Sequence, residues 1–117
     1  MIDLLYTWVE KIKSNNAKDV AHLYHQDGLL LGTFSNHERK GKEQILDYFN
    51  ELFSSRIDVE ITTKHLHKTN SLSTVSGLYN FTVDDKKIEA RFSFVFLKVK
   101  HKWEIISHHS SLMPRKK

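Results

Sequence analysis

Apolar positions at the start of the chain recur at helical spacing. Leu4, Leu5, Trp8, Val9 and Ile12 fall on one face of a 3.6-residue period and predict an amphipathic helix, stopped by Ser14-Asn15-Asn16. Asn16 then offers an N-cap with Asp19 three residues on, and Val20, Leu23 and Tyr24 predict a second, short helix closed by His25-Gln26-Asp27-Gly28. The run from Leu29 to Phe34 is too short for a helix and reads as a buried strand. Beyond Gly41, Ile45, Tyr48, Phe49, Leu52 and Phe53 restore the helical period and predict a third helix ending near Ser54-Ser55-Arg56. The period then shifts to two. Stretches beginning at Ile57, Ser73, Ile88 and Trp103 alternate or are rich in β-formers, separated by turn residues around Asn70-Ser71, Asp84 to Lys87 and Lys100 to Lys102.

Helices followed by four consecutive strands predict an α+β fold, in which a mostly antiparallel sheet packs on the N-terminal helices. A sheet that wraps helices must curve strongly into a cone, and a cone is either filled with side chains or hollow enough for a ligand. With 117 residues, 39% hydrophobic, and no break in composition, residues 1–117 are expected to form a single domain, with 114–117 as a basic tail.

The last strand carries the candidate chemistry. Under strict alternation Trp103, Ile105, Ser107, His109 and Ser111 share one face, and Glu104, Ile106, His108 and Ser110 the other. The first face begins with core-type residues, so it is expected to line the cone with its polar members toward the open end. On the preceding strand Phe92, Phe94 and Phe96 oppose Arg91, Ser93 and Val95; a suitable register would join Arg91 and Ser93 to the same polar patch. The pocket lining expected on this basis is Trp8, Tyr24, Tyr79, Arg91, Ser93, Ser107, His109 and Ser111. Satisfied structural polar groups are the competing reading of the histidine and serines.

Other chemistry finds less support. The chain has no cysteine, which excludes disulfides and thiolate ligands. His65 and His67 share a strand face, His108 and His109 point oppositely, and no HExxH spacing occurs, so no metal site is expected. His109 has no identifiable acidic partner, no G-x-S-x-G elbow surrounds a serine, and the Gly32 to Glu43 stretch lacks P-loop spacing. No catalytic residue is assigned and no cofactor is expected. The net charge of +4 arises from lysines interspersed with acids, apart from the His37-to-Lys42 cluster and the tail, so neither nucleic acid nor membrane is an expected partner. The N-terminus lacks a signal-type apolar run, and a cytoplasmic location is expected.

The element order, together with the stretches Asn15 to Leu31, Arg39 to Phe49 and above all Lys102 to Pro114, resembles the nuclear transport factor two-like superfamily, the SnoaL-like cone with a cystatin-like α+β barrel. The likeness covers nearly the whole chain. It is closest to the association domain of calcium/calmodulin-dependent protein kinase II, whose final-strand pattern Trp103, Ile105, His109 and Ser111 match. Small bacterial proteins of the SgcJ/EcaC type share the His108 to Pro114 pattern. The resemblance implies self-association into a homodimer or larger oligomer through the outer face of the sheet, to which either Leu78 and Ile106 or the three Phe residues would contribute. It also implies a cone pocket for an unidentified small molecule. The ketosteroid isomerases of this superfamily use a tyrosine, a carboxylate base and a second aspartate; the matching positions here are Trp8, Gly32 and Ser93, none of which suits that role. The buried pocket arginine of the kinase hub aligns with Phe94. Two readings follow: a small-molecule-binding cone within a homodimer, or a self-associating scaffold without catalysis, with a non-redox isomerase or dehydratase as a third, weaker one.

Overall fold

The computed structural model describes residues 2–115; Met1, Lys116 and Lys117, including the end of the expected basic tail, lie outside the described residues. Helix α1 (Ile2–Ser14) buries Leu5, Trp8, Val9 and Ile12, the face that the helical period marked. It ends on Asn15 in the left-handed region (φ 55°), where an asparagine is tolerated. The Asn15 amide donates to the carbonyls of Ile12 and Ile57 and accepts from the Ile57 N–H, so the residue that stops the helix also fastens it to the sheet.

Helix α2 (Ala17–Ala21) starts as expected, with the Asp19 N–H donating to the Asn16 side chain. It is shorter than the periodicity predicts. Tyr24 belongs to strand β1 (Tyr24–Leu31), where it pairs in parallel with Ile105, and the Ile105 N–H donates to the Leu23 carbonyl. The four residues His25 to Gly28 therefore form an irregularity inside a strand and not a helix stop. A partner eighty residues away is invisible to local periodicity.

Strand β2 (Arg39–Lys40), which the pattern did not predict, pairs with β1. Helix α3 (Lys42–Leu52) buries Ile45, Tyr48 and Phe49. Four long strands follow: β3 (Ile57–Lys68), β4 (Leu72–Val83), β5 (Lys86–Val99) and β6 (Lys102–Leu112). The sheet order is β2-β1-β6-β5-β4-β3, antiparallel except for β1 beside β6. The sheet is curved and unclosed. Its inner face packs Val75, Tyr79, Phe81, Phe92, Phe94, Phe96, Ile57 and Ile105 against the helices. Among the described residues no helix is long and apolar enough to cross a membrane.

Two bulges decide which side chains face inward. On β3, Ile61 pairs with Tyr79 and Thr63 with Leu78, leaving Thr62 as the extra residue. On β6, Ile105 pairs with Phe96 and Ser107 with Val95, leaving Ile106 extra. An inserted residue exchanges the two faces of everything beyond it.

Candidate functional site: a buried polar chain and an outer polar cluster

The Ile106 bulge corrects the expected face assignment. Trp103 and Ile105 lie on the inner side as expected, but beyond the bulge it is His108 and Ser110 that point inward, where they are buried. Ser107, His109 and Ser111 pair with outward-facing Val95, Ser93 and Arg91 and lie on the outer face. The eight expected lining residues thus divide into two groups. Trp8, Tyr24 and Tyr79 meet inside the cone, whereas Arg91, Ser93, Ser107, His109 and Ser111 share the opposite side of the sheet. His108 and Ser110 are the interior residues that alternation missed. The adjacent β-branched pair Ile105-Ile106 was the available signal, because two consecutive apolar residues break a period of two.

Inside the cone, donors and acceptors connect into one chain. Trp8 Nε1 is 3.1 Å from the Tyr24 hydroxyl, which is 2.8 Å from His108 Nδ1. His108 Nε2 is 3.2 Å from the Tyr79 hydroxyl, which donates to Ser110 Oγ, and Ser110 meets Thr33 Oγ1. The direction of the whole chain follows from its first member. An indole N–H can only donate, so Tyr24 accepts from Trp8 and gives its own proton to His108 Nδ1. Nδ1 is then the acceptor nitrogen, and the imidazole proton sits on Nε2, from which it is donated to Tyr79. Tyr79 passes its proton to Ser110, and Ser110 to Thr33.

The electrostatics agree with this neutral imidazole. Burial, and secondarily the neighbouring His109 charge, holds His108 down at about 3. Its ring stacks on Phe94 at 3.9 Å between centroids, an apolar neighbour that does nothing to solvate a cation. Burial also pushes the Tyr24 and Tyr79 phenols well up, so both are protonated donors.

Little empty space remains beside this chain. The cavity lined by Trp8, Leu30, Tyr48, Phe49, Tyr79, Phe81, His108 and Ser110 is about 10 Å³, room for about one water. Gly32, just after β1, and Tyr48 border it. A Cβ on Gly32 would lie 2.5 Å from the Tyr48 ring, so glycine is required there for the ring to close over the cavity. Phe34 packs edge-on against Phe81, and the Arg39 guanidinium lies over Tyr48 while pairing with Glu51 at 3.1 Å. Burial raises the Tyr48 phenol to about 12.

The three positions that match the isomerase residues are also placed by the structure. Trp8 donates into the buried chain, Gly32 sits under Tyr48, and Ser93 faces away from the cone. No group of three or more potential metal ligands converges among the described residues.

On the outer face Arg91 pairs with Ser111 and Ser93 with His109, while Ser76 and Ser93 share a hydrogen bond of 2.8 Å. Arg91, Phe92, Ser93, His109 and Ser111 line a shallow depression of about 210 Å³. Around it stand apolar residues that contribute nothing to the core: Leu78, across from Arg91, and Leu29, Val95, Leu97 and Ile106, beyond the Ser76–Ser93 row, are half-buried, and Leu72 is exposed. The three Phe residues of β5 are all interior, so of the two expected surfaces only the one carrying Leu78 and Ile106 lies outside the core.

None of the curated proteins compared with the chain matches it. Solved structures do. A proposed calcium/calmodulin dependent protein kinase II association domain from Xanthomonas campestris is 35% identical over 97% of this chain and 85% of its own, with a TM-score of 0.92. An NTF2-like protein of unknown function from Pseudomonas putida is 15% identical over 93% of this chain and 81% of its own (TM-score 0.84). A proposed dehydratase of the NTF2-like family from Streptomyces avermitilis is 13% identical over 96% and 92% (TM-score 0.85). The last two show the cone fold alone, a fold that hosts many functions. The family model of the calcium/calmodulin dependent protein kinase II association domain matches residues 1–114, and together with the Xanthomonas relative it shows that this chain belongs to that family.

Proposed function

We propose that the chain is a self-association module whose copies pair through the outer face of the sheet, residues 1–117 acting as one unit. The apolar set of Leu29, Leu72, Leu78, Val95, Leu97 and Ile106 carries this reading, since it lies outside the core; hydroxyls border most of it, with Arg91 across from Leu78 and Glu104 across from Leu97. At about 4.8 Å between strands and about 3.4 Å per residue, the four strands that carry these residues, over about nine residues, present an area of roughly 600 Å². That approaches the ~800 Å² per partner of a stable interface. A two-fold pairing brings the same stripe from each copy together, so every apolar residue counts twice. The name of the matched family, association domain, is consistent with this use of the fold.

Sedimentation equilibrium of the wild type and of Ile106→Glu tests the reading. The expected result is a dimeric or larger wild type at micromolar concentration and a folded, monomeric variant. A wild type that stays monomeric, or a variant that keeps the wild-type mass, refutes it.

The buried polar chain favours a second reading, a small molecule held within the cone. Ser110 and Tyr79 would contact such a ligand only after Tyr48 and the Gly32-to-Phe34 segment swing outward, because the cavity holds about one water. Native mass spectrometry of the purified protein tests it: a reproducible non-covalent mass beyond that of the chain supports the pocket, and its absence from every preparation, with apolar metabolites added, removes the support.

A further inference from the structure

We infer that self-association is switched by pH: two copies pair while His109 is neutral and separate when it takes a proton. The inference rests on the self-association reading and adds its regulation. The bulge at Ile106 turns His109 to the outer face, where it stands between Ser93 and Leu31. One row away on one side lie Val95 and Leu29, and one row away on the other lies Leu78. A contact that covers these apolar residues therefore covers His109 as well. His65 and His67 share the face but belong to the edge strand β3, so they occupy the rim. All three histidines are exposed in the single copy, where water solvates their charged form.

The charges on this face set the direction of the switch. Arg91 stands in the row beside His109, His65 in its own row, and His67 and Lys40 in the row on the other side. Those three rows hold no carboxylate. The nearest acid of the apolar area is Glu104, across from Leu97, with Lys102 on the same face of the strand. Glu60 and Glu89 lie beyond the row of Arg91, both opposite Asn80. The helices pack on the inner face and bring no charge to this one. Because a two-fold pairing presents the same surface from the partner, five groups that are or can become positive stand against the one carboxylate Glu104. A proton on His109 in the contact would lose its water and gain a mostly positive surrounding, and both oppose it.

Histidine ordinarily takes its proton at about pH 6.5. Association that withholds this proton has its full strength above that pH and weakens as the pH falls through it. A pair contains two copies of His109, one from each chain. Complete exclusion of both protons predicts a dissociation constant about a hundredfold higher at pH 5.5 than at pH 7.5, and partial exclusion about tenfold.

The test is fluorescence-detected sedimentation velocity of the full chain, from nanomolar to micromolar concentration, at pH 7.5, 6.5 and 5.5 and one ionic strength. Wild type, His109→Gln and His109→Lys are compared, with far-UV circular dichroism in each buffer to show that the chain is folded. The buried His108 is common to all three, so its effect on the fold cancels in the comparison. The expected result is a wild-type dissociation constant that rises about ten- to hundredfold from pH 7.5 to 5.5, and a rise at least threefold smaller for His109→Gln. His109→Lys, charged throughout, should associate as weakly at pH 7.5 as the wild type does at pH 5.5. A wild-type constant that stays level or falls on acidification, an equal rise in His109→Gln, or a lysine variant that pairs as tightly as the wild type at pH 7.5 overturns the switch and leaves the association reading standing. A wild type that is monomeric at pH 7.5 overturns both.

Discussion

Between pH 6.5 and about 3, unfolding should expose a proton-binding site that the folded protein withholds. His108 is buried, accepts the Tyr24 proton on Nδ1, and is held down at about 3 by burial and by the His109 charge. A free histidine takes a proton near 6.5, so within this window the unfolded state binds one more proton than the folded state. Stability from this group is full above pH 6.5 and falls by ~1.4 kcal/mol for each pH unit below it, until about pH 3. At pH 4.5 the loss is about 3 kcal/mol, a large part of the roughly 6 to 17 kcal/mol expected for 117 residues. Protonation also disrupts the chain: with both ring nitrogens donating, Tyr24 would receive from Trp8 and from His108, and its own proton would lose its acceptor. The assay is urea unfolding of the wild type and of His108→Gln at pH 7, 5.5 and 4.5. The variant has no group to titrate, so the gap between the two should shrink by ~1.4 kcal/mol per pH unit below 6.5, other carboxylates cancelling in the difference. A gap that stays constant from pH 7 to 4.5 refutes the withheld proton, and a nitrogen NMR spectrum with the His108 proton on Nδ1 refutes the direction assigned to the chain.

Tyr24→Phe leaves the Trp8 N–H and His108 Nδ1 without partners and should cost about 2–4 kcal/mol in urea unfolding, well above the cost of a lost solvent-facing hydroxyl. Ser73→Ala should be neutral or raise stability by up to about 1 kcal/mol, because the Ser73 hydroxyl is buried with no hydrogen-bond partner; a clear loss in the same measurement would reveal a partner. Gly77→Ala would set a Cβ 2.1 Å from the Thr63 carbonyl oxygen, against backbone that cannot turn aside. It should lower the thermal midpoint more than Gly32→Ala, whose Cβ meets the Tyr48 ring and costs about 1–3 kcal/mol as that side chain shifts.

The contrast between what was legible and what was not lies in the range of the forces involved. Helix α1, helix α3 and the four long strands follow from local periodicity, because each buries a face, β3 only over Ile57 and Val59, and spaces its apolar residues accordingly. The Asn16 cap was equally legible, being a contact between residues three apart. Tyr24 was not, since its place in β1 is set by parallel pairing with Ile105, and a helical reading of Val20, Leu23 and Tyr24 is locally just as good. The interior site failed for a narrower reason. Every residue type needed was noticed in the final strand, but a single unpaired residue, Ile106, exchanges the two faces, and His109 was assigned the place that His108 holds. Alternation remains a sound guide up to Ile105 and again from Ser107 onward; what it cannot supply is the phase between the two segments. The consequence for function follows directly. Ser107, His109 and Ser111, which strict alternation places inside the cone, turn after the bulge to the outer face beside Arg91 and Ser93, and the cone keeps a self-satisfied neutral chain in their place. The buried chain therefore holds neutral donors and acceptors that satisfy one another, while Arg91 and His109 stand on the outer face.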